Sequence, residues 1–307
     1  MKTSRLLVAA LLTNSVCAML ALLPSLANAQ TEFETTIYQF SGDAVKGYLQ
    51  PAADLFGANM FAGQFRSAEI PTTGFNIAFD IVGMAALVGD DQKNYTATTP
   101  TNFTPRTFNT ATIFGGTGTT VVNSSIPALS YRGPDGIINA SVVPLAVPQL
   151  RVGSLYGTEA FVRFVRIPQS LTDKFPDVTL FGAGLRHSLS QYFPEIPLDV
   201  AVGVFYTTFK TGDLVDFKGY SFGLQGSKSF SLLTVYGGFA YESCTMKLQY
   251  TSTDPNVPGR LVDVSLDGQN TFRATAGAAL SLGVFHIFAD VNLGNVTNFS
   301  GGIGVGF

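Results

Sequence analysis

The sequence has no tryptophan, two cysteines and two histidines among 307 residues, and only 13% of its residues are charged. Each shortage removes a class of function. Cys17 falls in the N-terminal leader described below, so Cys244 stands alone and no intramolecular disulfide can form. Neither His187 nor His286 is spaced with cysteines or carboxylates as a metal site requires, so no metal and no cofactor are expected. A typical soluble domain carries about 25% charged residues, and this chain has too few to solvate an open sheet face. The formal net charge of −3 becomes −5 once Lys2 and Arg5 depart with the leader, which argues against a nucleic-acid partner. Beyond the leader no run reaches about 18 uninterrupted apolar residues, so no transmembrane helix is expected.

What is present is glycine, at 32 residues, and aromatic side chains, at 12%. Residues 1–29 read as a signal peptide: a basic start at Lys2 and Arg5, apolar stretches over 6–12 and 16–23, and Ala27-Asn28-Ala29 as the cleavage site. Pro24 breaks the apolar stretch, which argues against a retained membrane helix. Val16 and Asn14 occupy the positions before Cys17 where a lipid-attachment site needs a small residue and an aliphatic one, so no lipoprotein is expected.

The opposite terminus carries the clearest signal. Residues 299–307 read FSGGIGVGF: Phe299, Ile303, Val305 and Phe307 alternate with Ser300, Gly302, Gly304 and Gly306. That period of two describes a strand with an oily face and a thin one. Ser300, Gly302, Val305 and the terminal aromatic Phe307 resemble the C-terminal assembly signal of bacterial outer-membrane barrels.

Between the termini, residues 30–38 are polar and read as a periplasmic arm. In residues 41–56, Val45, Tyr48, Leu49, Ala52, Leu55 and Phe56 recur at helical spacing, with Pro51 expected to kink or split the helix. Such a segment would plug a barrel lumen, lie beneath it, or simply pack. Residues 57–67 look weakly strand-like. Residues 73–87 alternate well and aim Asp80 at the watery face. Residues 89–127 are Thr-, Asn- and Gly-rich, without periodicity, and read as a long loop; 130–148 is similar, with room for a short hairpin. From residue 149 the strands come densely: 149–155 and 158–167 around a Tyr156-Gly157 turn, then 177–186, 198–209, 219–230, 231–241, 246–251, 260–266, 270–282, 284–293 and the C-terminal run. In 198–209, Leu198, Val200, Val202, Val204 and Tyr206 share the oily face. Long and short connections alternate, as outer loops and periplasmic turns do.

The second face of these strands is mostly Gly, Ala, Ser, Thr and Asn, where a soluble sandwich would scatter Lys and Glu. The expected fold is therefore all-β: a closed antiparallel transmembrane β-barrel of about 12 strands, with 10–14 admissible, and a short N-terminal helical plug-like segment. The expected division is 1–29 signal peptide, 30–67 arm and helical segment, and 68–307 barrel, with long loops near 89–127 and 252–259. Without tryptophan, the aromatic girdles must be Phe and Tyr.

Charges inside strands are costly toward lipid, so Asp80, Arg163, Arg186, Asp199, Arg273, His286 and Asp290 are expected to face the lumen, where they pair, hold the plug or meet a solute. Arg166 is one parity off Arg163 and is expected near an interface or a bulge. Gly219-Tyr220-Ser221-Phe222-Gly223 matches G-x-S-x-G, but it lies inside an alternating strand instead of a strand-to-helix elbow. Residues 223–229 lack the glycine-lysine-hydroxyl order of a phosphate loop. His286 and Asp290 share a face about 13 Å apart, and no spacing supports a triad, so no catalytic residues are expected.

Several stretches resemble an uncharacterised domain-of-unknown-function family of outer-membrane proteins: Tyr48-Leu49-Gln50-Pro51, the run GFNIAFD over 74–80, Val235-Tyr236-Gly237-Gly238, and above all FGAGLRHSLSQYFPEIPLDVAVGVFYT over 181–207. The resemblance implies export and a barrel, and it implies no activity. At the level of architecture alone, a helical plug ahead of a barrel also resembles fatty-acid-type outer-membrane transporters. The expected protein is thus a bacterial outer-membrane barrel, exported by a signal peptide cleaved after Ala29. Its expected partners are outer-membrane lipids, the barrel-assembly machinery through the C-terminal strand, and a small solute, hydrophobic by expectation, that it passes or binds. Alternatives are an outer-membrane hydrolase acting on lipids, with Ser221 and His286, or a structural or surface-display barrel acting through its loops.

Overall fold

The computed structural model describes residues 42–171, 176–193, 195–251, 259 and 261–306. The expected signal peptide over 1–29, the expected arm over 30–38 and Phe307 lie outside them. Ten strands close into an antiparallel barrel: β1 (Asn76–Leu87), β6 (Val142–Leu155), β7 (Thr158–Ile167), β8 (Val178–Ser188), β9 (Asp199–Thr211), β10 (Val215–Phe230), β11 (Leu233–Thr251), β13 (Phe272–Leu282), β14 (Phe285–Leu293) and β15 (Asn298–Gly306). Pairing of β10 with β11, and of β15 with both β1 and β14, leaves no free edge in the ring. An additional strand, β12 (Leu261–Asp267), extends one side of the ring beside the far half of β11.

The count is ten plus one because two expected strands, 231–241 and 246–251, are a single strand. Ser243, Cys244 and Thr245 interrupt the apolar alternation, yet β11 runs through them for 19 residues. Its partner is the interrupted one: Thr245–Thr251 pairs with β12 and Leu233–Tyr241 with β13, on either side of residues 268–271.

Alternation sets the two faces. Val202, Val204, Tyr206, Ile287, Phe299 and Ile303 stand exposed on the outside, while Ala201, Phe205, Thr207, Phe288 and Asp290 are buried in the lumen. The outer surface is apolar around the ring, with Phe164, Phe181, Leu185, Phe222, Leu224, Phe239 and Leu280 among its exposed side chains.

The two mouths differ. At the end where the chain terminates, Tyr156-Gly157, Ser231-Leu232 and Gly283-Val284 are two-residue turns, and Tyr156 and Gly157 both have positive φ, as a tight hairpin with matching twist requires. That end also carries the longer connection 189–198, with a short 3-10 turn over Ser190–Tyr192. The other end carries the crossover 88–141, the short connections 212–214 and 294–297, and the connections after β7 and β11, parts of which (172–175, 252–258 and 260) lie outside the described residues. That crossover, read from sequence as a loop, is a folded cap. It holds a short helix, α2 (Asp90–Lys93), and two hairpins, β2 (Asn94–Thr98) with β3 (Thr107–Ala111) and β4 (Thr120–Val122) with β5 (Ser130–Arg132).

A ring of about eight strands is just filled by its own side chains, so ten leave space. The N-terminal segment fills it. Helix α1 (Gly42–Phe61) enters from the cap end and is buried nearly all round, through Val45, Tyr48, Leu49, Ala53, Leu55, Ala58, Met60 and Phe61. It runs unbroken through Pro51, where the sequence predicts a kink or split; burial on every side outweighs the local penalty of an interior proline, about 3 kcal/mol. Nor do residues 57–67, weakly strand-like in sequence and so expected to lead into the wall, form a strand: 57–61 are the last turn of the helix and 62–70 are extended without pairing. They continue down the lumen as an extended strap, with Ala62, Gln64, Phe65, Arg66, Ala68 and Ile70 buried, and the chain turns into β1 only at the far mouth.

Candidate functional site

The buried charged side chains among the described residues gather in the lumen, which is built in two levels. At the cap end α1 packs by apolar contact. Val45, Leu49, Leu55 and Met60 share one cluster with Ile113 and Phe114 of the cap and with Val147, Leu248 and Leu266 of the wall. Backbone and side-chain bonds tie cap to helix: the Ile113 amide donates to the Tyr48 carbonyl at 3.1 Å, and the Tyr48 hydroxyl donates to the Asp135 carbonyl at 3.0 Å.

Below this level the wall turns ionic. Arg151 of β6 bridges Asp80 at 2.8 Å and Glu159 at 3.4 Å, and Glu159 also pairs with Arg186. His286 closes one side, in hydrogen-bond contact with Asp80 and with its Nε2 3.0 Å from an Arg151 nitrogen. A side chain at Gly304 would collide with Asp80 and His286, so this glycine of β15 makes room for the pair. On the opposite wall Arg273 donates to Glu242 at 2.6 Å and to Asn292 at 2.7 Å, and Asn270 completes Glu242 at 3.1 Å. Asp290 has no arginine bonded to it; it accepts from the Tyr236 hydroxyl at 3.0 Å, from Asn292 at 2.7 Å and from Ser300. Low dielectric makes each of these bonds strong and each missing partner costly.

Arg163 differs from the other wall arginines. It is 2% exposed and has no carboxylate partner. Its Nε donates to Gln149 at 2.8 Å, and its two terminal nitrogens donate to the carbonyls of Met60 at 3.3 Å, Ala62 at 2.9 Å and Gly63 at 2.8 Å. Those carbonyls form the C-terminal end of α1, where unsatisfied acceptors and the helix dipole favour a cation. Gly63, with φ of +66°, supplies the left-handed residue that ends the helix.

The strap is fastened similarly. Arg186 and Gln225 reach the Ser67 carbonyl at 3.4 Å, the Ala68 amide donates to Ser227 at 2.8 Å, and Ser221 donates to Gln64 at 3.0 Å. The Arg66 guanidinium lies 3.0 Å above the Phe288 ring. A small cleft between the strap and β8–β10, lined by Gln64, Phe65, Arg186 and Gln225, has room for about one water molecule.

Of the residues singled out from sequence, Asp80, Arg163, Arg186, Arg273 and Asp290 lie buried in this lumen and His286 lines it half-buried. Asp199 has the inward parity but sits at the first position of β9, half-buried at the rim and outside the ionic groups. Arg166 lies exposed near the end of β7, 3.4 Å from Asp177. Ser221 and His286 are not brought together: the first bonds Gln64 and the second Asp80 and Arg151. Arg151, Glu159 and Glu242 escaped the sequence reading. Arg151 and Glu159 share parity with Gln149 and Arg163 in their strands, a signal that was there to find; Glu242 fell one residue past the assumed strand end. In the C-terminal run, Ser300 is buried, Gly302 faces the lumen against Phe288, and Val305 is half-buried.

The model of a family of unknown function, DUF6588, matches residues 1–307. The chain belongs to this family. No curated protein matches the DUF6588 chain significantly. Among solved structures it is similar to the translocator domain of autotransporter NalP from Neisseria meningitidis, at 13% identity and TM-score 0.23, over 76% of this chain and 88% of that one. OmpF of Salmonella typhi, solved in complex with daunomycin, gives 11% identity and TM-score 0.24 over 77% and 98%. A BenF-like porin from Pseudomonas fluorescens Pf-5 gives 9% and 0.17 over 76% and 97%. Identities this low concern the fold alone.

Proposed function

We propose that this DUF6588 protein is a bacterial outer-membrane barrel that passes a small solute when its N-terminal plug moves. An apolar ring of Val, Leu, Ile and Phe on the outside and a water-compatible lining inside suit a bilayer. Short turns and the chain terminus then face the periplasm, and the cap and the start of α1 face outward. The observation that carries the reading is how the lumen is filled. Ten strands leave a bore that their own side chains do not fill, and it is occupied by one continuous segment of the chain instead of by a thicker lining of wall residues. Through its lower half it is held by hydrogen bonds that water can replace and by three small apolar clusters, Phe61 with Phe161 and Phe205, Phe65 with Tyr236, and Ile70 with Ala201. The wall ion pairs Arg151–Asp80, Arg186–Glu159 and Arg273–Glu242 stay intact whether or not the plug is present. Their polar lining suits a polar solute better than the hydrophobic one considered from sequence.

The test uses the native thiol. A Cβ placed on Gly57 of α1 would lie 3.0 Å from Cys244 Sγ on β11, about the Cβ-to-Sγ separation across a disulfide. The Gly57→Cys variant should therefore lock plug to wall when oxidised. In planar bilayers, ionic openings are expected from the reduced protein, with loss on oxidation and recovery with reductant. Equal conductance in both states, or none in either, would overturn the moving plug.

A further inference from the structure

Resting on the moving-plug reading, we propose that Arg163 is the solute-binding residue of the conduit, that it takes an anionic group, and that the C-terminus of α1 occupies its place in the closed state. The argument compares the wall cations with the plug removed. Arg151 keeps Asp80 and Glu159, Arg186 keeps Glu159, and Arg273 keeps Glu242, because all of these carboxylates belong to the wall. Arg163 keeps only Gln149 through Nε. Its Nη1 and Nη2 lose the carbonyls of Met60, Ala62 and Gly63 together. A guanidinium inside a barrel, with both terminal nitrogens vacated side by side, is a ready-made fork for a carboxylate or another small oxyanion.

The helix terminus behaves as an internal stand-in for that ligand. Three converging carbonyl oxygens carry the partial negative charge of the helix end, and they meet the guanidinium where a bidentate carboxylate would. Asp290 does not cancel the site. It retains Tyr236, Asn292 and Ser300 as donors, all of them on the wall. Arg66, the other buried arginine without a bonded carboxylate, belongs to the strap and leaves with it. Phe205 backs the site, its ring centre 5.3 Å from the Arg163 guanidinium carbon, and limits the approach to a small anion. An anion that enters competes with the helix end for the same donors, so binding and release of the plug are one exchange.

The experiment uses the full-length chain in planar bilayers with a potassium chloride gradient. Chloride should be preferred over potassium in the wild-type openings. Arg163→Gln should lower the permeability ratio by at least about twofold and raise the opening frequency, since the plug loses its anchor. Arg163→Lys keeps the charge and should retain most of the preference. Heat-modifiable migration of each variant reports a folded barrel. Openings whose selectivity is the same in wild type and Arg163→Gln, or a cation preference in wild type, would overturn the assignment of Arg163 while leaving the conduit. Absence of openings in every variant would overturn the conduit itself.

Discussion

The two halves of the lumen are filled on different principles. At the cap end, plug, cap and wall share one apolar cluster, and α1 cannot leave without exposing Val45, Leu49, Leu55 and Met60. Toward the chain terminus the ion pairs run from wall to wall, as in Arg273–Glu242 and Arg151–Asp80, and the strap threads between them on hydrogen bonds and small apolar clusters, Phe65 with Tyr236 and Ile70 with Ala201. Stability of the ring and docking of the plug are therefore separable properties of one chain. The ionic half rigidifies the ring; the large apolar cluster holds α1 against cap and wall.

The comparison is broken most forcefully at Glu242. Replacement by Ala leaves Arg273 buried, 3% exposed, without its carboxylate. The expected loss is about 3–5 kcal/mol of barrel stability, read from the urea midpoint of the protein in liposomes. Adding Arg273→Met should recover most of it, since the cost lies in the orphaned charge. A loss below about 1 kcal/mol would mean that water reaches the pair and the lower lumen is not a dry, load-sharing wall.

Leu55→Ala probes the other half. Leu55 is fully buried in the plug, and its truncation should weaken docking of α1 by about 2–5 kcal/mol. Faster hydrogen exchange is expected across residues 42–61 with the urea midpoint of the strands nearly unchanged. An equal fall in that midpoint would show that plug and ring unfold as one unit.

The same contrast explains what could be read from sequence. The ring was legible because outward-facing and lumen-facing residues alternate, as in Val202, Val204 and Tyr206 against Ala201, Phe205 and Thr207. The start of β6 was hidden by Pro144 and Pro148. Those residues pair with β1 on one side, while the pairing with β7 starts only at Gln149, so a missing amide there costs no ladder bond. The site was legible in its residue types but not in its partners. Asp80, Arg151 and His286 come from β1, β6 and β14, and their meeting depends on a register that periodicity does not supply. Arg163 was identifiable as a lumen charge; that its partners are backbone carbonyls of a helix end leaves no trace in side-chain composition.

The smallest expected effect sharpens the boundary between cap and lumen. Asp135 in the cap accepts from the Gly118 amide at 2.6 Å and from Arg132 at 2.8 Å. The Gly118 amide first, and Arg132 second, hold its carboxyl below the ordinary 3.8. A carboxylate depressed in the folded state binds its proton more weakly there than in the unfolded state. Its contribution is complete above about pH 4–5 and is lost as pH falls through the folded value. Because Asp135 and Arg132 are both more than half exposed, screening limits the effect to a few tenths of a kcal/mol. Tyr48 donates to the Asp135 carbonyl, so loosening this turn reaches α1 directly. Acidification from pH 6 to 3 should raise protease sensitivity within residues 88–141 of the wild type, and Asp135→Asn should flatten that response at both ends of the range. If the acid response survives Asp135→Asn unchanged, the cap is loosened from elsewhere, and the charged turn contributes nothing to keeping the bore covered.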